Sequence, residues 1–460
     1  MKYVIYGLGI SGLSAAKYLK QAGKEVITID DNNSGEKNPD EISYDSKTVI
    51  SLSPGILPSH KIFEIAKKTG AEIACDIEIF YRLNFQNNFI AITGTNGKST
   101  TTSLTGFIFK ELEVPSAIGG NIGIPCFDLP TSFEKGVGAS FEQSPSATEK
   151  PNNHFSKGTY IFETSSYQLD LLTKTHFKIA ALLNITPDHI DHHGSMEAYI
   201  EAKKKIFQNQ TEQDFALIDI DNENSKKVFE EFKNDKNFRA KLIPISTKKI
   251  QENGLSLIGG KLVNKIWGAD SHRELKSKFL HGEHNDQNMA FAFAISYCFG
   301  LTDEKKIISA IQKFEGLPHR CKIIGQKDGI RFVNDSKATN AESTEPALKS
   351  FENIFWILGG RSKEGGIKIL EPYFKKITKA YLIGEATEEF AKILEKNSVN
   401  FEKCGNLERA LKSAYFDAKK SSLTEKTLLL SPACASLDQW KNFEQRGDYF
   451  CKLVDELKKS

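Results

Sequence analysis

The segment at positions 93–100, TGTNGKST, combines the residue types that bind the phosphates of a nucleotide. Its glycines let backbone N–H groups turn towards an anion, and its lysine ammonium can reach the β- and γ-phosphates. The hydroxyl of Ser99 or Thr100 can coordinate Mg²⁺. Two residues separate the first glycine from the Gly-Lys pair, whereas the general nucleotide loop has four. The predicted ATP-binding residues of this loop are Gly94, Thr95, Asn96, Gly97, Lys98, Ser99 and Thr100.

A carboxylate lies where it can share a cation with this loop. Glu163 ends a predicted strand at 159–163 and precedes a polar turn. In an open parallel sheet, ligands bind at the carboxyl ends of the strands. We therefore expect Glu163 to bind Mg²⁺ near Lys98. The alternative is an ordinary solvated acidic residue at the end of a strand.

A second group of potential metal ligands follows the predicted strand at 179–185. It consists of Asp188, His189, Asp191, His192 and His193. On spacing alone, these residues could form a zinc site. Mg²⁺ with oxygen ligands and one imidazole fits nucleotide chemistry better. We interpret His192 and His193 as ordinary loop residues.

The N-terminus carries another glycine motif, Gly7-x-Gly9-x-x-Gly12, between two predicted strands. Asp30 follows at about the offset expected for a ribose contact. This pattern is typical of dinucleotide binding, and alone it would favour an NAD(P)-binding oxidoreductase. That alternative leaves the TGTNGKST loop and the C-terminal third of the chain unexplained.

Repeated strand–turn–helix units must position these residues. Strands are predicted at 4–6, 25–30, 48–52, 89–93, 159–163, 179–185, 214–219, 329–333, 354–358, 379–383 and 427–430, and helices at 14–22, 99–112 and 197–206. The alternation predicts an α/β fold class with parallel sheets, in three domains in series. The predicted domains are 1–88, 89–316 and 317–460. A polar stretch at 131–157 is predicted to be a surface insertion that buries little.

The bulk composition disfavours several classes of protein. With 61 Lys and Arg against 59 Asp and Glu, the chain lacks the basic excess typical of nucleic-acid binding. Seven scattered cysteines without a CxxC pair fit a reducing cytosol. No stretch approaches the ~18 consecutive apolar residues of a membrane span, and glycines interrupt the N-terminal apolar run that could pass for a signal peptide. We expect a cytoplasmic enzyme that binds neither nucleic acid nor membrane.

Motifs along the whole chain resemble those of the Mur ligase family. TGTNGKST is similar to the ATP loop that Mur ligases share with folylpolyglutamate synthetases. The further motifs are GGNIG (119–123), ETSSYQL (163–169), NITPDHIDHH (184–193), GEHNDQN (282–288), LPHR (317–320), NDSKATN (334–340), LGGRSK (358–363) and SPACASLDQWKNFEQRG (431–447). NDSKATN and the last motif resemble the D-glutamate-adding branch of the family. The N-terminal βαβ unit argues against a folylpolyglutamate synthetase, which would begin near its ATP loop.

The resemblance implies an ATP-dependent ligase of peptidoglycan synthesis. ATP would phosphorylate the free carboxylate of UDP-N-acetylmuramoyl-L-alanine, and the amine of D-glutamate would then displace phosphate from the acyl phosphate. The implied cofactors are ATP and two Mg²⁺ ions, and the implied enzyme is a monomer. The implied domains are a Rossmann-like N-terminal domain for the UDP-substrate, a central P-loop-type ATPase domain, and a Rossmann-like C-terminal domain for D-glutamate and part of ATP.

The resemblance also assigns roles to single residues. It implies that CO₂ carbamylates Lys203, which then binds the second Mg²⁺ with His189. Neighbouring Lys204 and Lys205 leave this register open by one residue, although Ala202-Lys203 aligns best. The implied catalytic residues are Lys98, Glu163, His189 and Lys203, and the implied metal ligands are Ser99, Glu163, His189 and carbamylated Lys203.

Further residues are assigned to the substrates on the same basis. Asn288 is expected at the adenine, Asp335 at the ribose and Arg320 at the phosphates of ATP. The implied substrate-binding residues are Ile10, Ser11, Asn121, His189, Lys337, Thr339, Lys363, Ser436, Leu437 and Phe443. Cations and hydroxyls in this set suit the two carboxylates of D-glutamate.

Overall fold

The computed structural model describes residues 1–31, 35, 39–53, 56–121, 123–133, 157–362 and 365–459. The chain divides into two compact units. The first contains Met1–Lys276 and Asp286–Lys313, and the second contains Ser277–Asn285 and Phe314–Ser460. Among the described residues, two sheets belong to the first unit and one to the second.

The first sheet has four parallel strands within the described residues, in the order β2-β1-β3-β4. Its elements are β1 (Lys2–Tyr6), α1 (Ile10–Gln21), β2 (Glu25–Ile29), β3 (Thr48–Leu52), α2 (Lys61–Thr69), β4 (Glu72–Ala74) and α3 (Asp76–Asn84). Helix α1 ends where Gly23 takes a left-handed conformation with φ 69°. The N–H of Lys24 then bonds back to the carbonyl of Leu19, which satisfies the last turn.

The second sheet has the order β13-β12-β11-β10-β9-β8-β5-β7-β6 over the described ranges. Neighbouring strands are parallel from β6 to β11, and β12 and β13 extend the sheet as antiparallel strands. Its strands are β5 (Asn88–Thr93), β6 (Ser116–Gly120), β7 (Thr159–Glu163), β8 (Ile179–Leu182), β9 (Phe215–Asp219), β10 (Lys241–Ser246), β11 (Leu255–Ile258), β12 (Lys261–Asn264) and β13 (Ser271–Glu274). The helices that follow are α4 (Lys98–Glu111), α5 (Ser166–Asp170), α6 (Ile190–His193), α7 (Met196–Lys204), α8 (Glu223–Asn234), α9 (Glu283–Phe299) and α10 (Glu304–Lys313).

The third sheet, in the second unit, has the order β14-β15-β19-β16-β17-β18. Only β14 is antiparallel to its neighbour within this described sheet. Its elements are β14 (Lys322–Lys327), β15 (Ile330–Asn334), α11 (Ala341–Ser350), β16 (Ile354–Gly359), β17 (Ile377–Ile383), α12 (Thr387–Lys396), β18 (Phe401–Gly405), α13 (Leu407–Lys420), β19 (Lys426–Leu430) and α14 (Phe443–Lys459).

The first two sheets share a hydrophobic core inside the first unit. Phe80 of α3 lies against Phe89, Tyr160 and Phe162 of the second sheet, with ring centroids 4.9 to 6.5 Å apart. Strands β5 and β7 are buried almost throughout, as expected for parallel strands covered on both faces. Over the described parts of the chain, no helix has the length and apolar character needed to cross a membrane.

The predicted α/β class and parallel strands are confirmed, with differences at the ends of elements. Strand β8 stops at Leu182, and α7 ends at Lys204, where a 3₁₀ turn takes over. The third residue of the predicted polar insertion belongs to the core, because Phe133 is buried and its ring packs on Tyr160. Most of that insertion, 134–156, lies outside the described residues.

Candidate functional site

The phosphate loop lies between β5 and the N-terminus of α4, as predicted. Gly94 and Gly97 have φ values of 155° and 86°, a region that favours glycine. Two backbone carbonyl oxygens of the loop accept hydrogen bonds from Lys98, whose Nζ donates to Gly94 and Thr95 at 2.7 and 2.8 Å. The loop leads directly into the N-terminus of a 14-residue helix, whose positive end suits it to phosphate.

Asn184 supports the phosphate loop, a role that the sequence alone did not assign. Its Oδ1 accepts the Asn96 N–H at 2.8 Å, and its Nδ2 donates to the Asn96 carbonyl at 3.1 Å. Its own carbonyl accepts the Thr95 N–H at 3.0 Å. Asn184 therefore fixes the conformation of the loop from the neighbouring strand end. Its place at the start of the NITPDHIDHH motif was the available signal.

Asn288 lies directly behind the same loop. It is buried, and its Oδ1 accepts a hydrogen bond from Thr101 Oγ1 at 3.1 Å. A Cβ at Gly97 would come within 2.4 Å of that oxygen, so the loop needs glycine to fit against Asn288. The expected adenine contact of Asn288 stays a prediction. In the second unit, Asn285 donates from Nδ2 to the His281 carbonyl at 2.8 Å.

Glu163 ends β7 with a carboxylate that is 3 % exposed. Its Oε1 accepts a hydrogen bond from Asn121 Nδ2 at 2.9 Å, and its backbone carbonyl accepts the Asn121 N–H at the same distance. Its Oε2 is buried and has no hydrogen-bond partner among the described residues. A buried, unpartnered carboxylate oxygen is costly unless a cation or donor meets it. A divalent cation would supply such a partner, and the metal contact of Glu163 stays a prediction.

Lys203 is the buried lysine of this region, with 1 % of its surface exposed. Its Nζ lies 3.4 Å from Thr93 Oγ1 at the end of β5 and 4.6 Å from the centroid of the Tyr199 ring. Burial lowers the pKa of Lys203 well below its ordinary value, and the ammonium of Lys98 lowers it further. Its neighbour Lys204 instead forms ion pairs with acidic residues of α7 and α8. Lys203 is therefore the buried lysine and Lys204 an ion-paired one, and the choice of Lys203 as the carbamylated residue stays a prediction.

The Asp-His segment after β8 contributes one half-exposed imidazole and one buried one. His189 has a positive φ of 53°, and its Nδ1 lies 2.8 Å from the Tyr167 hydroxyl. His193 is buried between Ser166 Oγ at 2.9 Å and Asp170 Oδ2 at 3.3 Å, and burial lowers its pKa. His193 is therefore part of the packing of α5. Within the described ranges, no group of three or more His, Cys, Asp or Glu side chains is arranged to hold a metal.

The N-terminal glycine motif forms the turn between β1 and α1. Gly7 has φ 92°, and a Cβ at Gly12 would lie 2.0 Å from the Gly7 carbonyl oxygen. Only glycine lets the helix approach the strand so closely. The Asp30 carboxylate accepts the N–H of Leu8 at 2.8 Å, so it supports this turn. The predicted substrate contacts at the start of the helix are Ile10, which is 79 % exposed, and the partly buried Ser11.

In the second unit, Asp335 follows β15 and is almost fully buried. Its Oδ1 accepts the N–H of Cys321 at 2.9 Å, and its Oδ2 accepts the Ser431 hydroxyl at 2.6 Å. Burial raises the pKa of Asp335 to about 7, although these hydrogen bonds and the nearby charge of Arg320 act in the opposite direction. Asp335 and Arg320 thus lie close enough for their charges to interact, and their contacts with ATP stay predictions.

Arg446 organises the loops that carry the predicted D-glutamate residues. It is fully buried, and it donates to Ser336 Oγ at 3.0 Å, the Ser336 carbonyl at 2.8 Å and the Cys434 carbonyl at 3.1 Å. Ser336 Oγ in turn donates to the Phe443 carbonyl at 2.8 Å. Lys337 Nζ lies 3.9 Å from the centroid of the Phe443 ring. Arg446 lies within the motif at 431–447, and the sequence analysis assigned it no role.

The other predicted D-glutamate residues lie in the same unit. Ser436 is buried and its carbonyl begins the turn before α14, whereas Leu437 is 59 % exposed. Thr339 is partly buried in the segment that precedes α11. Lys363 lies outside the described residues. The roles of these residues towards a substrate remain predictions.

Comparisons with known proteins show which family the chain belongs to. Residues 92–296 match the family described as Mur ligase middle domain, and residues 319–434 match the Mur ligase, glutamate ligase domain. The chain is 38 % identical to the UDP-N-acetylmuramoylalanine--D-glutamate ligase of Rickettsia bellii, over 98 % of this chain and 97 % of the relative. It is 41 % identical to the enzyme of the same name from Rickettsia felis, over 98 % of this chain and 96 % of the relative.

Solved structures share the fold at much lower identity. The UDP-N-acetylmuramate-alanine ligase MurC of Thermotoga maritima is 16 % identical with a TM-score of 0.58, over 99 % of each chain. A pseudomurein peptide ligase type C of Methanothermus fervidus is 17 % identical with a TM-score of 0.55, again over 99 % of each chain. These likenesses confirm the fold class.

Proposed function

The chain belongs to the Mur ligase family, and we propose that it joins D-glutamate to UDP-N-acetylmuramoyl-L-alanine at the expense of ATP. The observation that carries this function is its identity of 38 to 41 % with D-glutamate ligases over nearly the full length. An oxidoreductase would leave the ATP loop and these matches without explanation.

The reaction requires two anions to meet. A carboxylate oxygen of the acceptor attacks the γ-phosphorus of ATP, and ADP leaves. The neutral amine of D-glutamate then attacks the acyl carbon, phosphate leaves with the electron pair of the broken C–O bond, and the nitrogen gives up one proton as the amide forms. Electrostatic preorganisation is usually the largest catalytic contribution to such a step, and exclusion of water protects the acyl phosphate. Lys98 supplies positive charge at the loop where the triphosphate would lie.

Mg²⁺ is the cation that we propose for Glu163 Oε2. The supporting observation is the buried carboxylate oxygen without a partner among the described residues. Ser99 adds a hydroxyl to this ligand set, and His189 is assigned with carbamylated Lys203 to the second ion. When bound, Mg²⁺ would neutralise charge on the phosphates and on the reacting carboxylate. We propose that two Mg²⁺ ions bind at this site.

Lys203 is proposed to act as a carbamate. Its neutral amine would attack CO₂ and lose one proton, which turns a cation into an anion able to hold the second Mg²⁺. This chemistry needs an unprotonated amine, a form that the lowered pKa of Lys203 favours. Its burial next to Thr93 also keeps the group beside the phosphate loop.

The remaining assignments belong to the same proposal. D-Glutamate is assigned to Lys337, Thr339, Lys363, Ser436, Leu437 and Phe443, the UDP-substrate to Ile10, Ser11, Asn121 and His189, and ATP to the 94–100 loop with Asn288, Arg320 and Asp335. We also propose three domains, 1–88 for the UDP-substrate, 89–316 for ATP, and 317–460 for D-glutamate and part of ATP. We propose a cytoplasmic monomer, and its free cysteines suit a reducing compartment.

Phosphate release from ATP tests the assignment. The purified chain is incubated with Mg²⁺, ATP and UDP-N-acetylmuramoyl-L-alanine, and each candidate amino acid is added in turn. We expect turnover with D-glutamate and background release with L-glutamate, L-alanine or L-lysine. Turnover with another amino acid would overturn the proposed D-glutamate pocket. If a folded protein that binds ATP shows no turnover with any of these amino acids, the assignment of UDP-N-acetylmuramoyl-L-alanine as the substrate would be wrong.

A further inference from the structure

We propose that Glu78 is a positioning residue that holds the first sheet at a fixed distance from the reacting end of the second sheet. The inference rests on the proposed function, because it assumes a substrate with its nucleotide at the first sheet and its carboxylate beside Glu163. Glu78 lies on α3, outside the predicted site motifs. Both sheets belong to the first compact unit, and hydrogen bonds between side chains and backbone connect them.

Glu78 has a carboxylate with no exposed surface, which is held by a loop of the second sheet. Its Oε2 accepts the N–H groups of Thr173 at 3.1 Å, Lys174 at 3.2 Å and Thr175 at 3.0 Å. The hydroxyls of Thr173 and Thr175 also donate to the carboxylate, at 2.9 and 2.5 Å. Three consecutive N–H groups that converge on one carboxylate form an anion-binding nest. We call residues 173–175 the nest loop.

The charge of Glu78 is retained although it is buried. Burial alone would raise the pKa of Glu78, yet the hydrogen bonds from Thr175, Thr173 and Lys174 outweigh it and lower the pKa. Arg82, one turn further along α3, donates from Nε to Glu78 Oε1 at 2.8 Å. A buried charge with complete partners rigidifies its surroundings, whereas the loss of one partner is costly.

The nest loop is held from its other side by the segment that follows Lys203. Asn209 donates from Nδ2 to the carbonyl of Thr173 at 3.0 Å and to that of Thr175 at 2.9 Å. The loop therefore connects α3 to the chain just beyond the proposed carbamate. A displacement of α3 would be transmitted through directional hydrogen bonds to both sides of this loop.

A second link from α3 reaches the segment that leaves Glu163. Gln168 donates from Nε2 to Asp76 Oδ1 at 2.9 Å. The same Gln168 forms a capping box with Ser165, two residues after Glu163. Helix α3 is therefore bonded to α5 itself through Gln168 and to the loop after α5 through Glu78, and α5 begins three residues after Glu163.

The hydrogen bonds to Glu78 and Asp76 add a directional restraint between the two sheets, which the shared apolar core does not provide. Apolar packing between the sheets is non-directional, so it resists separation more than sliding. Hydrogen bonds with angular requirements fix the register. A substrate that spans both sheets gains affinity from its second contact only if the spacing matches its length. Glu78 therefore contributes to recognition of the whole substrate without contacting it.

The test compares Glu78→Gln with the wild type, using a fragment and the whole substrate. UDP alone occupies one end of the site, and its Kd is measured by calorimetry. UDP-N-acetylmuramoyl-L-alanine spans both ends, and its KM and kcat come from phosphate release, together with the KM of ATP. Ile50→Val, a buried change in β3 away from the nest loop, is the control for a general loss of stability.

We expect the KM of the whole substrate to rise at least about fivefold in Glu78→Gln, while the Kd of UDP and the KM of ATP stay within about twofold. Ile50→Val should leave all three unchanged. An unchanged KM in a variant with lowered thermal stability would assign Glu78 a structural role only and overturn the proposal. Equal weakening of UDP and of the whole substrate would also overturn it, because the first sheet would then be damaged locally.

A milder variant keeps the proposal testable if Glu78→Gln does not fold. Thr175→Val preserves shape and the backbone N–H but removes one hydroxyl donor to Glu78. It should raise the KM of the whole substrate without changing the Kd of UDP, and an unchanged KM in this folded variant would refute the proposal. Wild-type turnover in the same assay tests the proposed function separately. An inactive wild type would refute that function. If the wild type is active and the Glu78→Gln and Thr175→Val variants have the wild-type KM for the whole substrate, only the role of Glu78 is refuted.

Discussion

Replacing Glu163 by glutamine separates a catalytic role from a structural one at the end of β7. The substitution keeps the oxygen that accepts Asn121 Nδ2, and the atom that changes is Oε2, which has no hydrogen-bond partner among the described residues. No hydrogen bond is lost, so we expect the free energy of unfolding to change by less than about 1 kcal/mol. Loss of preorganised charge at a reacting centre typically costs a factor of roughly 10²–10³ in kcat, or about 2.7–4 kcal/mol.

Two measurements on the same sample check the Glu163→Gln prediction. Urea unfolding without ligands gives the change in stability, and phosphate release over a range of Mg²⁺ concentrations gives kcat. Glu212→Gln, at an exposed position, serves as the control and should match the wild type in both. A destabilisation of more than about 2 kcal/mol with kcat nearly unchanged would show that Glu163 has a structural role, and it would refute the reasoning from its unpartnered oxygen.

Three further predictions concern other parts of the chain. Lys203→Arg should abolish turnover, because a guanidinium stays protonated and cannot take up CO₂; bicarbonate should raise the activity of degassed wild type but not of the variant. The pKa of Asp335, raised to about 7, lies above its ordinary 3.8, so its stability contribution is full below about pH 4 and is lost as the pH rises through about 7. In urea unfolding, the stability of wild type relative to Asp335→Asn should therefore fall from about pH 5 to about pH 8, and a constant difference would contradict the raised pKa. Gly12→Ala should lower the free energy of unfolding by about 1–3 kcal/mol, because the new Cβ would meet the Gly7 carbonyl oxygen. Gly9→Ala is the control, since its Cβ would meet nothing within 4 Å, and it should leave stability nearly unchanged. Thermal unfolding of both variants checks this.

Local patterns were sufficient to predict the elements that carry the site. The β5–loop–α4 unit follows from glycine spacing next to an apolar run, and the position of Glu163 follows from the rule for strand ends. The end of α7 was predicted two residues too late, because apolar periodicity continues through the 3₁₀ turn that follows Lys204.

Contacts between distant segments could not be predicted in the same way. Asn184 bonds to Asn96 across 88 positions, and Arg446 bonds to Ser336 across 110 positions. Neither pairing leaves a periodic trace in the sequence, because a single polar side chain in a motif does not reveal its partner. The burial of Lys203 was likewise invisible, since a lysine in a helix is usually exposed.

The two hydrogen bonds from Lys98 to carbonyls of its own loop make nucleotide binding an exchange reaction. The ammonium already has acceptors at 2.7 and 2.8 Å, so a phosphate must compete with an internal substitute ligand. The net gain in affinity is the difference between two sets of hydrogen bonds, which is far smaller than either set alone. The same competition acts in reverse after the reaction, because the lysine has partners to return to when ADP departs. In thermodynamic terms, these internal acceptors lower the net affinity of the loop for ATP and ADP alike.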